Sequence, residues 1–123
     1  PADGFFEWKP ALGRKQPYRI GLRSEGLLAF AGLWEEWERP EGLRQTFAIL
    51  TTCANDLLRD VHDRMPVIIA PESYDRWLDP SIRDAFQIAP LLRPFDAELM
   101  ELHPVSLRVN SPANDDPSIL LAP

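Results

Sequence analysis

Ala2-Asp3-Gly4-Phe5-Phe6-Glu7-Trp8-Lys9 is a run of aromatic and charged residues bounded by Pro10. Aromatic side chains suit a pleated, half-buried surface, so residues 4–9 read as a strand. The same run sets the ionisable Glu7 between Phe6 and Trp8. A second run, Val61-His62-Asp63-Arg64-Met65-Pro66, places His62 directly after an apolar residue. A Glu and a His brought to one semi-apolar site can share acid/base work near neutral pH. The competing reading is a buried ion pair on two neighbouring strands, which uses the same residue types.

Working outward, residues 10–16 read as a turn containing Gly13 and basic residues, and residues 17–22 as a weakly alternating strand. Residues 27–34 are nearly all apolar, the pattern of a strand buried on both faces. Residues 35–42 are charged and close on the turn signal Pro40-Glu41-Gly42. Residues 44–53, rich in Thr and branched side chains, form the next strand. Asn55 can cap a single helical turn through Leu57, Leu58 and Arg59. His62 follows that turn and precedes a strand over 65–70, an element boundary of the kind that often presents functional side chains. Pro71 suits a first helical position. Tyr74, Trp77 and Leu78 then share one face of a short helix that stops before Pro80. Ile82, Ala85, Phe86 and Ala89 repeat the spacing up to Pro90. Residues 99–107 form a final strand, and 111–123 read as a loop tail. The expectation is one unit over 1–123, α+β in class, with mostly antiparallel strands.

Composition narrows the function classes. The chain has 123 residues, 45% of them apolar, with 6 Phe, 4 Trp and 2 Tyr, so it can build a core and is not of disordered type. Its 13 prolines are roughly twice the usual share and imply many short elements. No apolar run approaches membrane-spanning length, and no charged-then-apolar leader is visible. The single cysteine offers no disulfide framework, which fits a reducing compartment. There is no Cys/His cluster with zinc spacing and no glycine-rich phosphate loop, so no metal and no nucleotide cofactor are expected. A net charge of -6 argues against nucleic-acid binding on bulk electrostatics, although a local basic groove can operate on an acidic protein.

The ordered set of motifs carries a resemblance. ADGFFEWK, then HDRMP, then Trp77-Leu78-Asp79-Pro80, Leu91-Leu92-Arg93-Pro94, His103-Pro104-Val105-Ser106, Val109-Asn110 and Asn114-Asp115-Asp116-Pro117 together resemble the SOS response-associated peptidase family. Members of that family capture abasic sites in single-stranded DNA. The resemblance implies a barrel-like β core with peripheral helices, of which this sequence supplies the later strands. It also implies a covalent cross-link made by an N-terminal cysteine, exposed when the initiator Met is removed autoproteolytically. That cysteine, in a Cys-Gly-Arg start, and an active-site Asn are not in this sequence, which resembles the C-terminal portion of such a domain. The isolated chain is therefore expected to be inactive. The cytoplasm is the expected location if the source is bacterial, with the protein moving to the nucleoid on DNA damage.

By resemblance Glu7 and His62 are the acid/base pair. Glu7 would move protons during imine formation, and His62 would assist sugar-ring opening and proton transfer at the imine. Thr51 would hydrogen-bond the sugar, with a plain strand Thr as the alternative. Arg64 would contact a backbone phosphate, where its bidentate guanidinium suits an oxyanion; a salt bridge to Asp63 or Asp60 is the alternative. Trp8 would stack on a base, or else belong to the core, and Lys9 is a further phosphate candidate. Asp63 is expected to fix its loop, His103 to be structural, and Cys53 to be a small core residue that, lacking an α-amine, cannot replace the missing nucleophile. The alternative for the whole is a truncated, non-catalytic relative that serves only as a binding or structural module.

Overall fold

The structure is a computed structural model that describes residues 1–123. Strand β1 (Phe5–Ala11) and strand β2 (Arg14–Leu22) form an antiparallel hairpin joined by Leu12 and Gly13. Gly13 sits at φ +77°, a conformation that its missing Cβ allows. Gly4 is required for a different reason: a Cβ there would lie 2.7 Å from the carbonyl oxygen of Ile20. Strands β3 (Gly32–Arg39) and β4 (Gly42–Ile49) make a second hairpin. Strands β5 (Thr51–Cys53) and β6 (Arg64–Pro66) make a third antiparallel pair. Two short helices follow, α1 (Tyr74–Leu78) and α2 (Ala85–Ile88). Strand β7 (Met100–Pro104) then returns to β2, giving the sheet order β1-β2-β7. The fold is α+β with antiparallel sheets, as expected, but the three sheets do not close into a barrel.

The core gathers side chains from distant elements. Ile20, Leu28, Leu58, Met65, Ile68 and Met100 form one buried cluster, with Phe5 and Phe30 packed against it edge to face at 5.8 Å. Asn55 is the buried polar member. Its side-chain NH2 donates to the Phe95 carbonyl at 2.8 Å, and its Oδ1 accepts from the Leu58 N–H at 3.1 Å. It thus caps the expected turn over residues 56–60, which places His62: the His62 N–H donates to the Leu58 carbonyl at 2.9 Å.

Several boundaries differ from the sequence expectation. Residues 27–34 are not one buried strand. Leu28 and Phe30 make single bridges to Ala2 and Ile68, and from Gly32 onward the backbone enters β3. Every residue of β3 and β4 is exposed, including Trp34 and Phe47, which face each other across the hairpin. An apolar run reports affinity for burial, not what is present to bury it. The charged segment 35–39 is strand rather than connection, and only Pro40 and Glu41 make the turn. The expected strand over 44–53 breaks at Leu50, whose N–H donates to the Ala31 carbonyl. The expected strand over 99–107 ends at Pro104, a 3₁₀ turn follows over Leu107–Asn110, and the expected loop tail over 111–123 contains a further 3₁₀ turn over Pro117–Leu120. Cys53 is exposed, not a core residue, because in the short β5 it is Thr52 that turns inward.

Candidate active site

β1 is an edge strand of its sheet, and Glu7, its third residue, stands opposite Tyr18 of β2. His62 arrives from the turn that Asn55 caps. The two meet on an open cleft of about 630 Å³ lined by Glu7, Trp8, Lys15, His62, Val109, Asn110 and Pro112. Three elements remote in sequence therefore converge: the β1–β2 hairpin, the loop before β6 and the first turn of the tail.

Glu7 is half-buried. It has no ion-pair partner within 4.0 Å, and its carboxylate accepts no hydrogen bond from another side chain. The His62 side chain is 44% exposed and lies 3.4 Å from Asp63 Oδ1. The buried Glu–His ion pair considered from sequence is thus not formed. Both groups are open to a reactant instead.

His62 has partners in both protonation states. Its Nδ1 accepts from the Arg64 backbone N–H at 3.1 Å, which in the neutral ring leaves the proton on Nε2. In the cationic ring, Nδ1–H faces the Arg64 carbonyl at 3.1 Å and the Asp63 carboxylate.

The other candidates separate. Arg64 donates from Nη2 to the Thr51 carbonyl at 2.7 Å and to Thr51 Oγ1 at 2.8 Å, so the pair lies on the β5–β6 ribbon and outside the cleft lining. Neither Asp63 nor Asp60 pairs with Arg64. Lys9 does not line the cleft; Lys15 does. Trp8 is half-buried at the rim, and its indole N–H donates to Asn110 Oδ1 at 2.6 Å. His103 pairs with Glu101 on β7, away from the cleft. Lys15 and Asn110 were missed as site residues. Lys15 stands in what read as a basic turn, and Asn110 belongs to a motif that sequence placed before a featureless tail.

No group of three or more His, Cys, Asp or Glu side chains converges as a metal site would require. No helix is long and apolar enough to cross a membrane.

A solvent-open cleft lined by a carboxylate without an ion-pair partner, an imidazole, an indole and an amine is the candidate site of this α+β fold. Comparison with known proteins shows the family. The family pattern described as SOS response associated peptidase (SRAP) matches residues 1–112, and the chain belongs to that family. It is 48% identical over 122 residues to the abasic site processing protein YoqW of Bacillus subtilis (strain 168), covering 98% of this chain and 54% of that protein. It is 36% identical to the abasic site processing protein HMCES of Gallus gallus, covering 98% of this chain and 41% of that one. A crystal structure of a Bacteroides thetaiotaomicron protein, structural genomics target BtR8, superposes with a TM-score of 0.88 at 33% identity, over 98% of this chain and 54% of that one. The chain spans about half the length of these relatives.

Proposed function

We propose that this chain carries the proton-transfer and DNA-contact side of a protein that captures abasic sites in single-stranded DNA covalently. The observation that carries the reading is the convergence of Glu7, His62 and Trp8 on one open cleft. Family membership and the relatives' description as abasic site processing proteins support it.

The chemistry suits these groups. An abasic deoxyribose opens to an aldehyde. An α-amine adds to the carbonyl carbon, and loss of water leaves an imine. A thiol on the same residue then adds to the imine carbon, its proton passes to the nitrogen, and a thiazolidine ring closes. Glu7 receives the proton shed by the attacking amine and returns it to the departing hydroxyl. His62 supports ring opening by proton transfer at the sugar oxygen. Trp8 offers an aromatic face to an unstacked base. Arg64, held by Thr51, takes a backbone phosphate at the edge of the site. The amine and thiol belong to an N-terminal cysteine that these 123 residues do not include; removal of an initiator Met would expose it, which gives the peptidase activity its place. Lyase-like strand chemistry follows from the same imine.

A second reading, a binding module without catalysis, draws on the net charge of -6 and on the exposed Trp34–Phe47 pair. The test is to incubate the native polypeptide that carries this chain with an abasic single-stranded oligonucleotide and resolve the mixture under denaturing conditions. A shifted band that disappears when the aldehyde is first reduced supports capture. Its absence with folded protein favours the second reading.

A further inference from the structure

We infer that Asn110 is a positioning residue that holds the Trp8 indole as a fixed stacking surface at the cleft, an inference that rests on the single-stranded DNA reading above. The bond from Trp8 Nε1 to Asn110 Oδ1, at 2.6 Å, joins β1 to a segment 102 residues away in sequence. An indole N–H can only donate, so the carboxamide must present its oxygen, and one orientation of each group satisfies the bond.

Asn110 is itself braced. The segment that carries it is tied to β2 on one side: the Val105 N–H donates to the Pro17 carbonyl at 3.0 Å, and Gln16 Nε2 donates to the Val105 carbonyl at 2.9 Å. On the other side Arg108 gathers the tail, with Nη2 2.9 Å from Asp116 Oδ2 and its carbonyl accepting from Asn114 Nδ2 at 2.7 Å. The Ser106 N–H closes this arrangement on the Leu121 carbonyl at 2.9 Å. The bonds at Val105 anchor a buried residue, but the ties beyond it do not serve the core, because Asn110 is exposed and none of the buried apolar residues lies beyond Val105. What it does is fix one edge of an aromatic ring whose neighbours on the cleft are Glu7, Lys15 and His62. A ring immobilised before binding spares the ordering cost that a loose side chain pays on association.

The experiment measures non-covalent affinity, using a single-stranded oligonucleotide with a tetrahydrofuran abasic analogue, which has no aldehyde. The native polypeptide is compared with Asn110→Ala, Asn110→Asp, Trp8→Phe and the Trp8→Phe/Asn110→Ala double variant. Phe keeps an aromatic face but has no N–H. Asn110→Ala is expected to weaken binding roughly 3- to 10-fold. In the Trp8→Phe background the same change should add less than about 1.5-fold, since the two groups act as one unit. Asp retains the acceptor, so at high salt, where its added charge is screened, Asn110→Asp should bind like the native protein. A purely structural Asn110 would instead weaken both backgrounds alike. That result, or native-like binding by Asn110→Ala, would overturn the inference while leaving the DNA reading intact. Failure of the folded native protein to bind would overturn the DNA reading and the stacking role with it.

Discussion

Arg64 Nη2 lies 2.7 Å from the Thr51 carbonyl oxygen and 2.8 Å from Thr51 Oγ1, so one guanidinium nitrogen is held twice by a single residue of the facing strand. The remaining guanidinium nitrogens stay free to meet an anion, and the arm is aimed before any ligand arrives. Arg64→Ala is expected to weaken single-stranded DNA binding at every sequence and to reduce the slope of log affinity against log salt by about 0.7, the loss of one phosphate contact. Titrations over a salt series read this directly. An unchanged slope would remove Arg64 from the DNA surface.

Thr51→Val keeps the shape of the strand but removes the hydroxyl acceptor. Because the pair is exposed, the cost should be small, about 0.5–1 kcal/mol in urea unfolding. DNA affinity should fall more than stability does, since the released arm must be ordered again on binding. Equal native-like values for both would show that the hydroxyl does not aim Arg64.

Asn55 and Leu58 hold the turn from which His62 emerges. Leu58 is fully buried, and Leu58→Ala should cost about 2–5 kcal/mol through lost burial and the cavity left behind. Asn55→Ala removes the donor to the Phe95 carbonyl and leaves the Leu58 N–H only the Asn55 backbone carbonyl at 3.2 Å, and should cost about 1–3 kcal/mol. By contrast, Trp34→Ser on the exposed hairpin should change stability of the 123-residue chain by less than about 1 kcal/mol, the scale of one cross-strand pair. Urea midpoints of the three variants give the ranking. A Trp34→Ser loss as large as that of Leu58→Ala would contradict the exposed hairpin.

Hydrogen bonding from Ser118 holds the Asp116 carboxyl below the ordinary aspartate range, with Arg108 adding to the effect. A carboxyl lowered in the folded state stabilises it above the unfolded-chain value, and that contribution is lost as pH falls through the lowered value. The tail fold over Asp116 and Arg108 should therefore persist at neutral pH and loosen only in acid below the ordinary aspartate range. Carbon-detected titration of the Asp116 carboxyl, followed with the Ser118 amide signal, checks this. An Asp116 midpoint at or above the ordinary value would refute the described contacts.

How much was legible in the sequence follows from the kind of signal each residue gives. The β1 strand, the Asn55 cap, Pro71 at a helix start and the core contact of Tyr74 and Trp77 on α1 were readable because their causes are local: aromatic content, a capping carboxamide, a fixed φ and a helical spacing; Leu78, expected on the same face, is exposed. Glu7, Trp8 and His62 were nominated from their motifs, and the geometry brings those three onto one cleft. The extent of β3 was not legible, because alternation is masked when a strand carries apolar residues on both faces. Cys53 was misjudged because its type is commonly buried, whereas its position on a three-residue strand turns it outward. Lys15 and Asn110 were missed because long-range pairing places them: Lys15 reaches the cleft through the β1–β2 register, and Asn110 through the bracing of the tail.

The central claim is that Glu7 moves protons at an abasic-site aldehyde. The direct test is the single-turnover rate of adduct formation between the native polypeptide carrying this chain and an abasic single-stranded oligonucleotide, compared with Glu7→Gln. Gln keeps the size and polarity of the side chain but cannot take up a proton. The expected result is a rate lower by about 100-fold or more with unchanged affinity for the tetrahydrofuran analogue. A folded Glu7→Gln protein that forms the adduct at the native rate would contradict the account.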